Sequence, residues 1–238
     1  MDDAEDGART QRPPSPPAAP LVSSAPALVS PAPALVSPAP PLVSPGPPDS
    51  PALPPFRRGH FLLESGHHGD TWLDLELLCL DPAALRAQAR ALAHRLDQYR
   101  IEVVCGPLVE GAFIALLVAE ELGVPFTYAE RQPPDPTAVL FPYPYRIPAA
   151  QRPHVVGKRV AIVNDVINAG SAVRGTLLDL RTAGATPAAL VTTAVLGDCA
   201  ARLAEDNQLP LETLLALENR VWSPAECPLC AQGIALRP

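Results

Sequence analysis

Between residues 101 and 196, short apolar runs rich in β-formers alternate with stretches of helical periodicity, and glycines stand at the joints. The runs cover 101–105, 124–129, 159–164 and 189–196. Gly106 follows the first, and a helix is expected over 111–122, closed by Gly123. A glycine turn also follows the third run, before a helix marked by Val173, Leu177 and Leu180 and closed by Gly184. Strands alternating with helices specify an α/β fold: a parallel twisted sheet with helices on both faces. Ligands in such sheets sit beyond the carboxyl ends of the strands. Residues 105–111 and 164–172 should therefore share one edge of the domain.

Upstream, Asp81-Pro82 opens another helix, because aspartate caps well and proline suits the first helical position. Leu85, Ala89, Leu92 and Leu96 follow at helical spacing and should form its buried face. Residues 59–73 mix apolar and polar positions with glycine turns, which suggests a small N-terminal hood of short strands.

The chain has 238 residues and 32 prolines, more than half of them before Phe56. Residues 1–55 are expected to be a disordered Pro/Ala/Ser-rich tail, and 56–238 a single folded domain. In the tail, Leu-Val-Ser recurs at Leu21, Leu28, Leu35 and Leu42, a spacing of seven. Proline at positions such as Pro26, Pro31 and Pro38 rules out a coiled coil. The reading is an extended polyproline-like linker, with a docking peptide as the alternative.

The formal charge of −7 gives no electrostatic reason to bind nucleic acid or an anionic membrane. No apolar run is long enough to span a bilayer. Five cysteines, an odd number, accompany an acidic MDDAED start where a signal peptide would be basic. The expected compartment is the cytoplasm, with reduced thiols.

The chemistry is expected in VAIVNDVINAGSA, residues 160–172. A buried strand ends at Asn164-Asp165, a turn of small residues follows, and a helix begins near Ser171. Such a turn presents successive backbone N–H groups, and the helix N-terminus adds positive potential, so a phosphate monoester fits. Gly170 permits close backbone approach, and Ser171 can cap the helix and offer a hydroxyl. From physics alone, a plain strand leading into a capped helix reads equally well. The segment is not a nucleotide P-loop, because it lacks the Gly-Lys-Ser/Thr ending.

The same segment resembles the phosphoribosyl-diphosphate signature of type I phosphoribosyltransferases. Asp165, Val166, Ile167, Asn168, Ala169, Gly170, Ser171 and Ala172 fall on it without a gap, while Asn164 replaces the first of two acids. IEVVCGPLVEGAF, residues 101–113, is similar to the pyrophosphate loop of orotate phosphoribosyltransferases. Residues 59–73 and 222–233 resemble the N-terminal segment and the tail of bacterial members. The resemblance implies that the chain joins orotate, or a related pyrimidine, to phosphoribosyl diphosphate in pyrimidine biosynthesis, with Mg2+ and as a homodimer. It gives Asp165 and Asn164 catalytic roles. It places phosphoribosyl diphosphate on residues 165–172 and on Gly106, Glu110, Gly111 and Arg131, and the base near Asn168 and His67.

Besides Asn164, two departures weigh on this. The loop that related enzymes lend to a neighbouring subunit should be about 132–156, and it holds no lysine; Lys158 is the sole lysine of the chain. Its cations are Arg146, Arg152 and His154, next to Arg131. The strand matching 189–196 lacks the arginine that meets orotate in relatives. These departures favour an alternative: a non-catalytic protein of the same fold that senses a nucleotide or phosphoribosyl diphosphate. Cys227 and Cys230 form a Cys-x-x-Cys pair with no second pair, so no metal is assigned to side chains. His67-His68 reads as a solvated turn, Trp72 and Trp222 as packing residues, and Cys79, Cys105 and Cys199 as buried.

Overall fold

The computed structural model describes residues 56–237; the expected tail, 1–55, lies outside them. β1 (Phe56–Leu62) and β2 (His68–Leu73) form an antiparallel hairpin. α1 (Pro82–Leu96) follows, with the Asp81 carboxylate accepting from the Ala83 and Ala84 N–H groups at 3.0 and 3.1 Å. Such a cap contributes about 1 kcal/mol. Leu85, Ala89, Leu92 and Leu96 are all buried, as their spacing requires.

β3 (Val103–Pro107), α2 (Glu110–Leu122), β4 (Phe126–Arg131) and the short β5 (Tyr145–Arg146) come next. Then follow β6 (Arg159–Ile167), α3 (Ser171–Thr182) and β7 (Thr186–Leu196). α4 (Cys199–Asn207), β8 (Leu211–Leu217), β9 (Val221–Trp222) and the helical turn α5 (Pro228–Ala231) complete the chain. The main sheet has the order β5-β4-β3-β6-β7-β8 and is parallel except at β5. β9 joins the hairpin as its third strand, and this small sheet is the expected hood.

Alternating residues of the sheet feed two cores. Val104, Ala161, Val163, Ala189 and Val191 pack against α1 and α2. Val103, Cys105, Val160, Ile162 and Leu190 pack against α3 and α4 on the other face. Burial on both faces is why these strands read as continuous apolar runs. A third cluster, with Leu73, Val166, Ala194 and Leu196, ties the hood to the carboxyl end of the sheet. Of the three cysteines expected in the core, Cys105 is fully buried; Cys79 and Cys199 are half-buried at its margins.

All four expected strands differ in their bounds: β3, β4 and β6 run further toward the carboxyl edge, and β7 starts earlier. β3 continues through Gly106 and Pro107 because β4 supplies ladder partners at Tyr128 and Ala129. β6 continues past Asn164 to Ile167 because Ala194 and Val195 of β7 pair with its last residues. The segment expected as a lent loop, 132–156, folds back on its own subunit. Gln132 N–H donates to the Pro144 carbonyl at 2.8 Å, and Phe141 N–H to the hood carbonyl of Ser65 at 2.8 Å. No helix among the described residues is long and apolar enough to cross a membrane.

Candidate active site

At the carboxyl edge of the sheet, residues 107–111 and 164–173 line one open cleft of about 210 Å3, and the hood closes one side. Asn164, Asp165, Val166 and Ile167 reach it from the last residues of β6; Asn168, Ala169 and Gly170 form the turn; Ser171 and Ala172 begin α3. Gly170 has φ +82°, a left-handed conformation that a side chain would strain, and it occupies the cap position expected for Ser171. The free Ser171 hydroxyl donates to Glu64 Oε1 at 3.2 Å.

Asp165 is 4 % exposed, and its Oδ2 has no hydrogen-bond partner although it borders the cleft. Burial pushes its carboxyl up to about 7, and the nearby Glu110 charge pushes the same way. Asn164 Nδ2 donates to the Val166 carbonyl at 2.8 Å, so its N–H is spent on its own strand. Its Oδ1 faces Gly111, where a Cβ would lie 2.1 Å away. The first turn of α2 and the Asn164 side chain therefore come this close because residue 111 has no side chain. Glu110, the first residue of α2, lines the cleft and does not cap its helix. A buried, unpaired carboxylate oxygen beside a second carboxylate is a hard oxygen donor set, which suits Mg2+.

The hood contributes residues that the sequence did not single out. Leu63, Glu64 and Ser65 line the cleft, as do Trp72 and Tyr145. Glu64 is held by three donors: the Tyr145 hydroxyl at 2.9 Å, Ser171, and Arg131 at 3.2 Å. Trp72, expected only to pack, presents itself to the cleft while its ring lies 5.8 Å from that of Phe61.

Three expected site residues lie off the cleft lining. Gly106 is buried between β3 and α2, where a Cβ would come within 2.6 Å of the Ala115 side chain. Arg131 stacks on the Tyr143 ring at 4.6 Å and pairs with Glu64. His67 bonds Ser65 Oγ at 3.1 Å and packs on the Phe141 ring at 5.3 Å; burial holds its pKa below the ordinary histidine value. Arg146 and Arg152 are committed elsewhere: both pair with the buried Asp179, at 3.1 and 2.7 Å. Asn168 stays at the turn, its Oδ1 accepting from Asn219 Nδ2 at 2.7 Å. His68 is no solvated turn; it is buried in β2 against His60.

With this geometry in hand, the likenesses are specific. The model of the phosphoribosyl transferase domain matches residues 80–228. An orotate phosphoribosyltransferase of Caldanaerobacter subterraneus is 31% identical over 186 residues, 77% of this chain and 90% of that protein. One from Pelotomaculum thermopropionicum is 34% identical over 181 residues, covering 76% and 88%. The UMP synthase structure of Leishmania donovani superposes with a TM-score of 0.52 at 25% identity, over 68% of this chain and 33% of that one. The orotate phosphoribosyltransferase structure of Aeropyrum pernix gives 0.52 at 23% identity, over 68% and 88%, and shares the fold.

Proposed function

This chain belongs to the phosphoribosyltransferase family, and from that premise we propose that it joins orotate to 5-phosphoribosyl 1-diphosphate. The products are orotidine 5′-phosphate and pyrophosphate, on the pyrimidine route to UMP. The observation that carries the reading is the convergence of residues 164–173 and 107–111 on one cleft, with the unpaired Asp165 oxygen at its edge.

The turn at residues 168–172 takes the 5′-phosphate, using backbone N–H groups and the positive end of α3. Asp165 faces the ribose. Its carboxylate offsets the positive charge that develops on the sugar as pyrophosphate departs. Residues 107–111 take the pyrophosphate through main-chain groups. Asn164 acts by positioning, because its amide braces β6 and its oxygen abuts this loop. The base lies between the hood and the turn, against Trp72 and beside Asn168. Magnesium, when bound, offsets the negative charge on the pyrophosphate, and Asp165 and Glu110 are the side chains that would hold it.

The protein works in the cytoplasm, as a homodimer. Phe113 and Leu116 are exposed on α2, an apolar patch that a second copy would cover. Light scattering on the purified chain tests this, and a monomer at micromolar concentration sinks it.

A second reading, a sensor without turnover, draws on one observation: Arg146 and Arg152 are tied to Asp179, away from the cleft. One assay separates the two. The full chain is mixed with magnesium, phosphoribosyl diphosphate and orotate, and pyrophosphate release is followed, with uracil and adenine as comparison bases. Turnover with orotate establishes the first reading; binding without release establishes the second.

A further inference from the structure

The sequence offered one cysteine pair and no partner for it. The fold supplies the second pair as histidines. His60 and His68 of the hood and Cys227 and Cys230 at α5 bring one ligand atom each to within 4.8 Å of all the others. His60 Nε2 lies 3.3 Å from Cys227 Sγ, 3.7 Å from Cys230 Sγ and 3.0 Å from His68 Nδ1, and Cys230 Sγ lies 3.3 Å from that Nδ1. A tetrahedral zinc with two sulfur and two nitrogen ligands holds those atoms about 3.3 to 3.8 Å apart.

We propose that His60 Nε2, His68 Nδ1, Cys227 Sγ and Cys230 Sγ bind one structural zinc ion that fastens the C-terminal segment to the hood. Three further observations carry this.

The first is the aim of His60. β1 pairs Arg58 with Thr71 and Phe61 with Gly69, so Gly59 and His60 both oppose the single Asp70. Such a bulge re-aims a side chain. Here it coincides with a His60 ring that is buried and set edge-on to His68, with centroids 4.9 Å apart.

The second is proton placement. His60 Nδ1 lies 2.7 Å from the Ile234 carbonyl, which can only accept. The hydrogen of the neutral ring is therefore on Nδ1, and Nε2 turns a lone pair toward the other three atoms. A carbonyl behind a ligating histidine is the usual outer support of a metal site. Without a cation, two thiols and one ring nitrogen crowd that single lone pair; a zinc ion takes all four.

The third is the want of an apolar anchor, since the segment is otherwise tied to the hood by the Arg237 N–H bond to the His60 carbonyl at 2.7 Å and the Ile234 carbonyl contact. Among residues 224–237 only Cys227 is buried. A segment with so little apolar burial needs a staple to stay in place. Two thiolates and two neutral imidazoles select zinc over magnesium or calcium. None of the four residues lines the cleft, so this inference stands apart from the reaction assigned there.

The test uses the full chain, untagged and purified without chelator, then desalted. Elemental analysis should find about one zinc per chain. Cys230, although exposed, should resist alkylation until a chelator strips the metal, after which Cys227 and Cys230 both react. Cys230→Ser should lower zinc to below about a tenth of an equivalent, while Cys199→Ser keeps it. Cobalt(II) in place of zinc should give the visible spectrum and sulfur charge-transfer bands of a tetrahedral thiolate site. If Cys230→Ser does not fold, the cobalt spectrum of the unsubstituted chain decides. No retained zinc after incubation with excess, zinc retained by folded Cys230→Ser, an octahedral cobalt spectrum, or a Cys227–Cys230 disulfide in the protein as isolated would each overturn the proposal.

Discussion

The Ser171 hydroxyl donates to Glu64 Oε1 at 3.2 Å, so a carboxylate of the hood stands at the N-terminus of α3. In the proposed reaction a phosphate takes that hydroxyl, and the two anions cannot share it. Glu64 thus competes with the substrate, and its release couples the hood to binding. Glu64→Gln keeps the size and the acceptor oxygen but removes the charge. It should tighten phosphoribosyl diphosphate by about five-fold, the equivalent of roughly 1 kcal/mol. Isothermal titration measures this, and an unchanged or weaker affinity shows that Glu64 does not oppose the phosphate.

Gly111 and Asn164 make a second close pair. A methyl group at position 111 would meet Asn164 Oδ1 at 2.1 Å, so Gly111→Ala must displace the Asn164 side chain from its bond to the Val166 carbonyl or shift the start of α2. Misplacement of that order costs catalysis on the order of 100-fold in kcat/KM. The loss should depend on its neighbour: in an Asn164→Ala background the same change should cost less than about three-fold. A double-mutant cycle on kcat/KM checks this, and additive losses would separate the two residues.

The part of the fold legible in the sequence was the part dictated locally. Asp81-Pro82 and the Leu85, Ala89, Leu92, Leu96 spacing specify α1 without help from the rest of the chain. The strand, small-residue turn and helix around Gly170 are likewise a local pattern. What was missed depends on partners far away in sequence. Residues 165–167 belong to β6 only because β7 pairs with this end of the strand, and β8 and β9 were not read at all. Glu64 carries no local mark of function; its meaning comes from Tyr145, Ser171 and Arg131. Arg146 and Arg152 looked available because the sequence cannot show that Asp179 holds both. Gly106 read as a loop glycine, yet its role is to admit the Ala115 side chain against β3.

Asp179 yields a stability prediction. It is 1 % exposed, accepts from Arg146, Arg152 and the Ile147 N–H, and so clamps the segment after β4 onto α3. Asp179→Ala leaves the Ile147 N–H unpaired and two guanidinium groups without their anion. Losing one partner of a buried pair costs about 3 kcal/mol or more. Chemical denaturation should show that loss, and Asp179→Asn should recover part of it by still accepting from Ile147. A loss below about 1 kcal/mol for Asp179→Ala would mean that the arginines are surface groups of little consequence.

Asp165 sets the pH dependence. Burial raises its pKa in the unliganded fold from 3.8 to about 7. A raised folded value means that its contribution to stability is fully present below 3.8 and lost as pH rises through 7. Asp165→Asn should therefore unfold at a higher temperature than the parent chain at pH 8, and the gap should narrow as pH falls through 7 and close only below 3.8. Binding runs the other way. A magnesium ion, or a ribose gaining positive charge, favours the carboxylate, so binding expels a proton and weakens as pH falls through 7. At pH 7 about half a proton per chain should be released when magnesium and phosphoribosyl diphosphate bind together. Titration calorimetry in buffers of different ionisation enthalpy counts that proton. It should vanish in Asp165→Asn, and a release that persists there would assign the titrating group to another residue.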